Sequence, residues 1–292
     1  LTNDTLDKIK KGKTSSSMSL SIDGENAVFH EWLRNMKGSF DLTMKSADNI
    51  IKSGINLQIN TTVMKENFME LPGIASLLKS KGITTWELFF LITTGRGKQL
   101  DPIDNDEAFA IGHWLAWLRL YGFNIRTVEF PQYRMLLSII EGIDTFAEYI
   151  NKLSVEKSSS ITRRESILID LVDRTTILMG YPEKKENDNN SVPSSRNRSF
   201  SGTLFISNSG DVYLSGFLPI KIGNVKIERI DNILKKDTLI SQVTERKNLK
   251  GRCGVCVKSV SCIGSRARAF ATFNDPFAED PICFPIINMN KL

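Results

Sequence analysis

The sequence lacks the marks of a membrane-spanning, secreted or nucleic-acid-binding chain. No run approaches the roughly 18 consecutive apolar residues that a membrane helix requires. The first thirteen residues are polar and lysine-rich, without a signal-peptide core. Cysteine is scarce: four occur in 292 residues, all within the last 40, so no disulfide framework runs through the chain. In a reducing compartment such a cluster is more often a metal site than a pair of disulfides. Charge of one sign is also missing, since 38 basic residues against 33 acidic ones leave only +5. The basic residues are scattered rather than gathered into a stripe with interleaved aromatics, which argues against nucleic acid as a partner. Histidine is limited to His30, near a helix start, and His113, among core residues, and both are expected to be structural. The expectation is a cytoplasmic chain with neither membrane nor nucleic acid as a partner.

Hydrophobic residues make up 41% and charged residues 24%, an ordinary balance for a folded chain. Single cores stop growing near roughly 250 residues, so the length predicts one large core and one smaller unit. The first half repeats an amphipathic helix, a glycine and a short strand rich in β-branched or aromatic residues. The glycines Gly12, Gly54, Gly82 and Gly122 are expected as left-handed helix caps. The predicted strands are Met18–Ile22, Leu57–Val63, Trp86–Ile92 and Ile125–Phe130, with helices over Phe40–Ser53, Met69–Lys81 and Asp104–Tyr121. In the last helix Phe109, Trp114, Ala116, Trp117, Leu118 and Leu120 form a broad apolar face. Alternating strands and helices imply an α/β fold with a parallel sheet, which either closes as a barrel or stays open. Thr2 or Asn3 reads as the N-cap of a helix with no strand before it, and Leu1 is not a methionine. At roughly 30 residues per βα unit, a barrel would lack about three units, so the chain reads as part of a longer protein.

From Gly180 to Ser201 the composition turns to Glu, Lys, Asn, Asp, Ser and Pro, which reads as a linker or surface loop. The expected organisation is therefore a core over 1–180, a linker over 181–201 and a small cysteine-rich unit over 202–292. Within the last, Thr203–Ser207 and Val212–Leu214 flank Ser209-Gly-Asp211, a hairpin turn signal, and a short helix is expected around Ile230–Val243. The spacing Cys253-x2-Cys256-x5-Cys262-x20-Cys283 supplies four thiolates. Four thiolates suit either tetrahedral zinc or an iron-sulfur cluster, and spacing alone leaves both open.

Particular residues carry a resemblance. Gly251-Arg-Cys-Gly-Val-Cys256, Cys262-Ile-Gly-Ser-Arg-Ala-Arg-Ala269 and Asp275-Pro-Phe-Ala-Glu-Asp-Pro-Ile-Cys283 resemble the auxiliary-cluster region of radical S-adenosylmethionine (SAM) proteins of the SPASM or twitch kind. The similarity is to the haem-biosynthesis and peptide-maturation branches. Phe205-Ile-Ser-Asn-Ser-Gly-Asp-Val-Tyr213 and Ile222-Gly-Asn-Val225 resemble the hairpin before that cluster. Many such proteins carry a further cysteine where this chain has Ser215-Gly-Phe217, which implies one auxiliary four-iron four-sulfur cluster, held by Cys253, Cys256, Cys262 and Cys283. With all its irons held by cysteine, that cluster would have an electron-transfer or structural role.

The first half resembles the same family. Ser21-Ile-Asp-Gly24, followed by Arg34, is similar to a strand motif that holds SAM, and the resemblance implies roles there for Ser21, Asp23 and Arg34. Gln58, Asn60 and Thr62 share one face of a strand, where polar groups need a ligand or one another; Asn60 and Thr62 are the SAM candidates. Gly95, Arg96 and Gly97 lie in the loop that would embrace the SAM adenine. The family also needs a Cys-x3-Cys-x2-Cys loop for a second four-iron four-sulfur cluster, and no such triplet occurs. This polypeptide alone is therefore expected to be inactive and a longer parent to be a radical SAM oxidoreductase or maturase. The resemblance implies a peptide or tetrapyrrole substrate and a ferredoxin- or flavodoxin-type electron donor. The alternative is a zinc-stabilised α/β binding or scaffold protein without catalysis.

Overall fold

The computed structural model describes residues 2–12, 17–137, 161–182, 204–236, 238–256 and 262–284. The linker expected over 181–201 lies, beyond residue 182, outside the described residues. In order, the first elements are α1 (Asn3–Lys11), β1 (Ser17–Ser21), α2 (Ala27–Arg34), α3 (Ser39–Lys52) and β2 (Asn56–Val63). Next come α4 (Leu71–Ser80), β3 (Thr85–Phe90), α5 (Asn105–Leu118), β4 (Asn124–Val128), α6 (Gln132–Leu137) and α7 (Arg163–Met179). The four strands form one parallel sheet in the order β1-β2-β3-β4, so this part of the chain is α/β as its alternating pattern predicts.

Local chemistry explains the boundaries. Thr2 caps α1 by accepting the Thr5 N–H, and Asp104 and Glu107 form a reciprocal capping box at the start of α5. Gly54, Gly82 and Gly122 take positive φ of 72°, 69° and 88°, the left-handed conformation that lets a helix end and the chain turn back to a strand. Gly12 departs from that expectation: its φ is −70°, and its N–H still bonds the Lys8 carbonyl, so α1 ends in right-handed geometry.

Strand alternation sorts the side chains. Ile59, Thr61 and Val63 of β2 and Trp86, Leu88 and Phe90 of β3 are buried beneath the helices, while Gln58, Asn60, Thr62 and Glu87 are half-buried on the opposite face. α5 is buried on nearly every side from Glu107 to Leu118, wider than the single apolar face expected, because α7 covers the side turned away from the sheet. Trp86 and Trp114 are fully buried and pack edge to face at 6.2 Å. Each indole N–H finds a threonine hydroxyl: Trp86 donates to Thr61 and Trp114 to Thr175 of α7, both at 2.8 Å.

The remaining elements are β5 (Phe205–Ile206), β6 (Asp211–Ser215), β7 (Leu218–Asn224), α8 (Ile230–Lys236), α9 (Thr238–Thr244), α10 (Gly251–Val255) and α11 (Arg266–Phe273). β5 and β6 form the expected antiparallel hairpin, and β7 adds a third strand. The single helix expected near residues 230–243 is two, α8 and α9, with residue 237 outside the described residues. Leu214 and Leu218 pack with Val243 and Ala267 in a small core of their own. Ile282 and Phe284, however, belong to the main core with Trp86 and Trp114. Burying each stabilises that attachment by roughly 1.5–3 kcal/mol. Among the described residues, no helix is long and apolar enough to cross a membrane.

Candidate functional site

The first candidate region lies at the carboxyl ends of the parallel strands. In-register pairing places Ser21, Asn60, Glu87 and Arg126 side by side across all four strands, a polar row on the half-buried face. Gln58 ties the row together by donating to Asn60 Oδ1 and Glu87 Oε2, both at 2.8 Å. The amides on this face thus have internal partners.

Beyond β1 the chain turns through Asp23, which is fully buried. Its carboxylate accepts the Thr62 N–H at 2.8 Å and pairs with Arg34 of α2. Its backbone N–H donates to His30 Nδ1, and its carbonyl accepts from Asn67 Nδ2 at 2.9 Å. Burial lowers the His30 pKa, which keeps the ring neutral and Nδ1 able to accept. Gly24 is required here, since a Cβ would stand 2.8 Å from the His30 backbone nitrogen. Ser21, Asp23, Arg34, Asn60 and Thr62 are therefore gathered at one edge of the sheet. Arg34 is engaged by Asp23 on one side yet leaves 40% of its side chain exposed.

Gly95 to Gly97 lie in a 3-10 turn at Gly95–Gln99 after β3. A Cβ on Gly97 would meet the Ile92 carbonyl at 3.0 Å, so the loop's own packing accounts for that glycine. Gly95, at φ +53°, faces open space. The Arg96 side chain lies outside the described features. Sequence reading passed over Asn67, Glu25 and Arg174: Asn67 locks Thr62 and Met64 to Asp23, and Arg174 of α7 holds the Glu25 carboxylate at 2.6 Å. Gly73 leaves room for that carboxylate, since a Cβ there would overlap Glu25.

The second region gathers the cysteines. Cys253 is buried in α10, and its sulfur receives the Asp280 N–H at 3.4 Å and Arg266 Nη2 at 3.5 Å. Arg252 bonds Glu279 and donates to the Cys283 carbonyl at 2.7 Å, which folds the 275–284 segment back beside α10. Asp275 and Asp280 both make the turns expected of their Asp-Pro pairs: Asp275 accepts the Phe277 N–H, and the Asp280 carbonyl accepts the Cys283 N–H. Gly264 (φ +67°) sits so close that a Cβ would stand 3.2 Å from Cys253 Sγ and 2.7 Å from Asp280 Cβ. Burial pushes the Cys262 thiol up to about 11, with Asp280, Cys253 and Cys256 adding to the rise and the Gly264 N–H opposing it. Burial likewise pushes Cys283 up to about 12, and Asp280, Cys253 and Cys262 add to it. Cys262 thus lies within electrostatic reach of Cys253 and Cys256, and Cys283 within that of Cys253 and Cys262. Among the described residues, no three His, Cys, Asp or Glu side chains are arranged to hold a single metal ion. Four thiolates are the donor types that hold a four-iron four-sulfur cluster, which is wider than one tetrahedral ion with bonds of about 2.3 Å.

Asp280 joins the two regions. It is fully buried, pairs with Arg268 at 3.0 Å, and accepts the Ser265 N–H at 2.8 Å and Gln132 Nε2 at 3.0 Å. Burial alone would raise its carboxyl, yet Arg268 and these donors hold it below the usual carboxylate range. Arg268 also donates to the Glu129 carbonyl at the end of β4. Between the regions opens a cavity of about 500 Å³, lined by Leu91, Thr93, Asp104, Arg163, Arg268 and Ile282 among others.

No family model matches the chain. It is 27% identical over 267 residues to the AdoMet-dependent heme synthase of Methanosarcina barkeri (strain Fusaro / DSM 804), covering 91% of this chain and 66% of that protein. It is 24% identical over 273 residues to the pre-heme d1 synthase of Dinoroseobacter shibae (strain DSM 16493 / NCIMB 14021 / DFL 12), covering 91% and 60%. The chain therefore spans somewhat under two thirds of the length of these relatives. The solved structure of native anSMEcpe with bound AdoMet and Cp18Cys peptide superposes with a TM-score of 0.57 at 13% identity, covering 97% of this chain and 68% of the other. The four-stranded parallel sheet and this overlay along almost the whole chain show an α/β fold similar to that of the AdoMet-bound structure. With the relatives above, these likenesses support a radical SAM protein of the haem-biosynthesis and peptide-maturation branch.

Proposed function

We propose that the chain is the SAM-positioning and auxiliary-cluster part of an oxidoreductase that reductively cleaves SAM and modifies a tetrapyrrole or peptide. The gathering of four cysteines around Cys253, whose sulfur already receives two N–H donors, is the observation that carries this reading. In it, Cys253, Cys256, Cys262 and Cys283 hold one four-iron four-sulfur cluster, which supplies one-electron transfer when bound. Arg252 holds Cys283 in place through its carbonyl, and Gly264 leaves room for the sulfurs.

At the sheet edge, Arg34 is held by Asp23 with its outer face toward solvent, suited to a carboxylate such as that of SAM. Ser21, Asn60 and Thr62 offer hydroxyl and amide groups along the same edge, and Gly95, Arg96 and Gly97 form its rim. The cavity between Asp104, Arg163 and Arg268 has the size of a small-molecule site and is the room assigned to substrate. A Cys-x3-Cys-x2-Cys loop for the SAM-binding cluster, and a ferredoxin- or flavodoxin-type donor in the cytoplasm, complete the scheme from outside these residues.

The test is anaerobic reconstitution of the chain with iron and sulfide. The expected result is about four irons and four sulfides per chain. Cys283→Ala should yield a three-iron or labile cluster, and Ser215→Ala should leave the iron content unchanged. One stoichiometric zinc with no iron, even under anaerobic reconstitution, would overturn the reading in favour of a zinc-stabilised protein without catalysis.

A further inference from the structure

Arg266, two residues before Arg268 on α11, is a buried cation that no carboxylate touches among the described residues, although Asp275, bonded to Lys250, lies near enough for Arg266 to help lower its carboxyl. Its side chain is buried, and among the described residues it makes no ion pair with a carboxylate. Its neighbours are all provided for: Arg268 has Asp280, Arg252 has Glu279, and Lys250 holds Asp275 at 2.6 Å. Arg266 instead donates Nη1 to two backbone carbonyls, Pro276 at 3.0 Å and Ala278 at 2.6 Å, and directs Nη2 at Cys253 Sγ. Among the described residues its Nε faces no acceptor. A guanidinium cannot shed its proton, so a buried one persists only where nearby negative charge compensates it. The group it is aimed at is a thiol sulfur, and a thiol is neutral until it binds metal.

We infer that Arg266 is the fixed countercharge of the cysteine site, which stabilises the reduced form of the cluster that Proposed function assigns there. The step is a one-electron transfer from a ferredoxin- or flavodoxin-class donor, or from a chemical reductant in vitro. No bond forms or breaks, and the charge of the cluster with its four thiolates goes from about −2 to about −3. A unit positive charge bonded to one of those sulfurs, away from water, favours the more negative state and so raises the potential. Arg268, equally buried but neutralised by Asp280, lacks this effect.

The test is redox titration of the reconstituted full chain, native and variant, followed by electron paramagnetic resonance of the reduced cluster. Arg266→Met should lower the equilibrium constant for one-electron reduction at least tenfold, about 59 mV, with full iron content. Arg266→Lys, which keeps the charge, should stay within about threefold of the native value. An Arg266→Met chain that loads fully and titrates with the native protein overturns the inference. If Arg266→Met loads no cluster, Arg266→Lys decides: loaded at the native potential it supports the countercharge. Failure of Arg266→Lys to load, or a displaced potential, shows that the ties to Pro276 and Ala278 are what matter and overturns it. A native chain that binds no iron would sink the cluster reading itself, an outcome distinct from all of these.

Discussion

Asp23 and Asp280 are both fully buried carboxylates, each accepting a backbone N–H and each paired with an arginine, yet their arginines differ. Arg34 beside Asp23 keeps 40% of its side chain exposed, whereas Arg268 beside Asp280 keeps 4%. At the sheet edge the carboxylate therefore aims a guanidinium outward, where a ligand can meet its free side. At the cysteine site the pair is closed off, and its hydrogen bonds run inward to Gln132, Ser265 and Glu129. The same pair of residue types leaves a guanidinium open to solvent in one place and makes a joint in the other.

The largest effect should come from breaking the closed pair. Asp280→Ala strands Arg268 without water and should destabilise the chain by about 3–5 kcal/mol in urea unfolding, with loss of iron loading. A loss below 1 kcal/mol would show that Arg268 finds another partner. Asp23→Ala leaves Thr62 N–H unsatisfied, but Arg34 can turn to water, so about 1–3 kcal/mol is expected. Equal losses at the two positions would remove the distinction drawn from their exposure.

His113 sharpens the comparison from the opposite side, as a buried ionisable group kept uncharged. It packs against Phe109 and Phe284, and burial lowers its pKa from 6.5 to about 3, helped by Arg164. A depressed imidazole contributes stability that is present above 6.5 and is lost as pH falls toward 3, because only the unfolded chain takes up the proton there. Between pH 7 and 6 this loss is about 0.7 kcal/mol. Urea unfolding should show it in the native chain, with a pH dependence reduced by that amount in His113→Phe. Identical slopes in the two chains would mean that His113 is not the group responsible.

Much of the core was readable because its signals are local. Strand alternation in Gln58–Val63 and the cap glycines at 54, 82 and 122 act within a few residues. α7 was passed over although Thr162 and Glu165 spell a capping box, since its burial depends on α5, far away in sequence. Asp280 read as a turn former beside Pro281, which it is, but its carboxylate role depends on Gln132, 148 positions earlier. Arg34 read as a carboxylate binder, and nothing local announced that Asp23 would hold it. The cysteine spacing read as a metal site, while the approach of Arg266 to Cys253 emerges only once α11 is laid against α10.

The bonds from Gln132 to Asp280 and from Ser265 and Arg268 to Glu129 join residues 136 to 148 positions apart. Loops that long close late, after the local βα units have formed, and the cysteine segment is also synthesised after the sheet. The parallel sheet is thus the template on which residues 262–284 dock, and the four thiols come together only when that docking is complete. Cofactor capture at the cysteines would then report on the end of folding: a chain whose sheet is disturbed at Glu129 or Gln132 should arrive with its cysteines still apart.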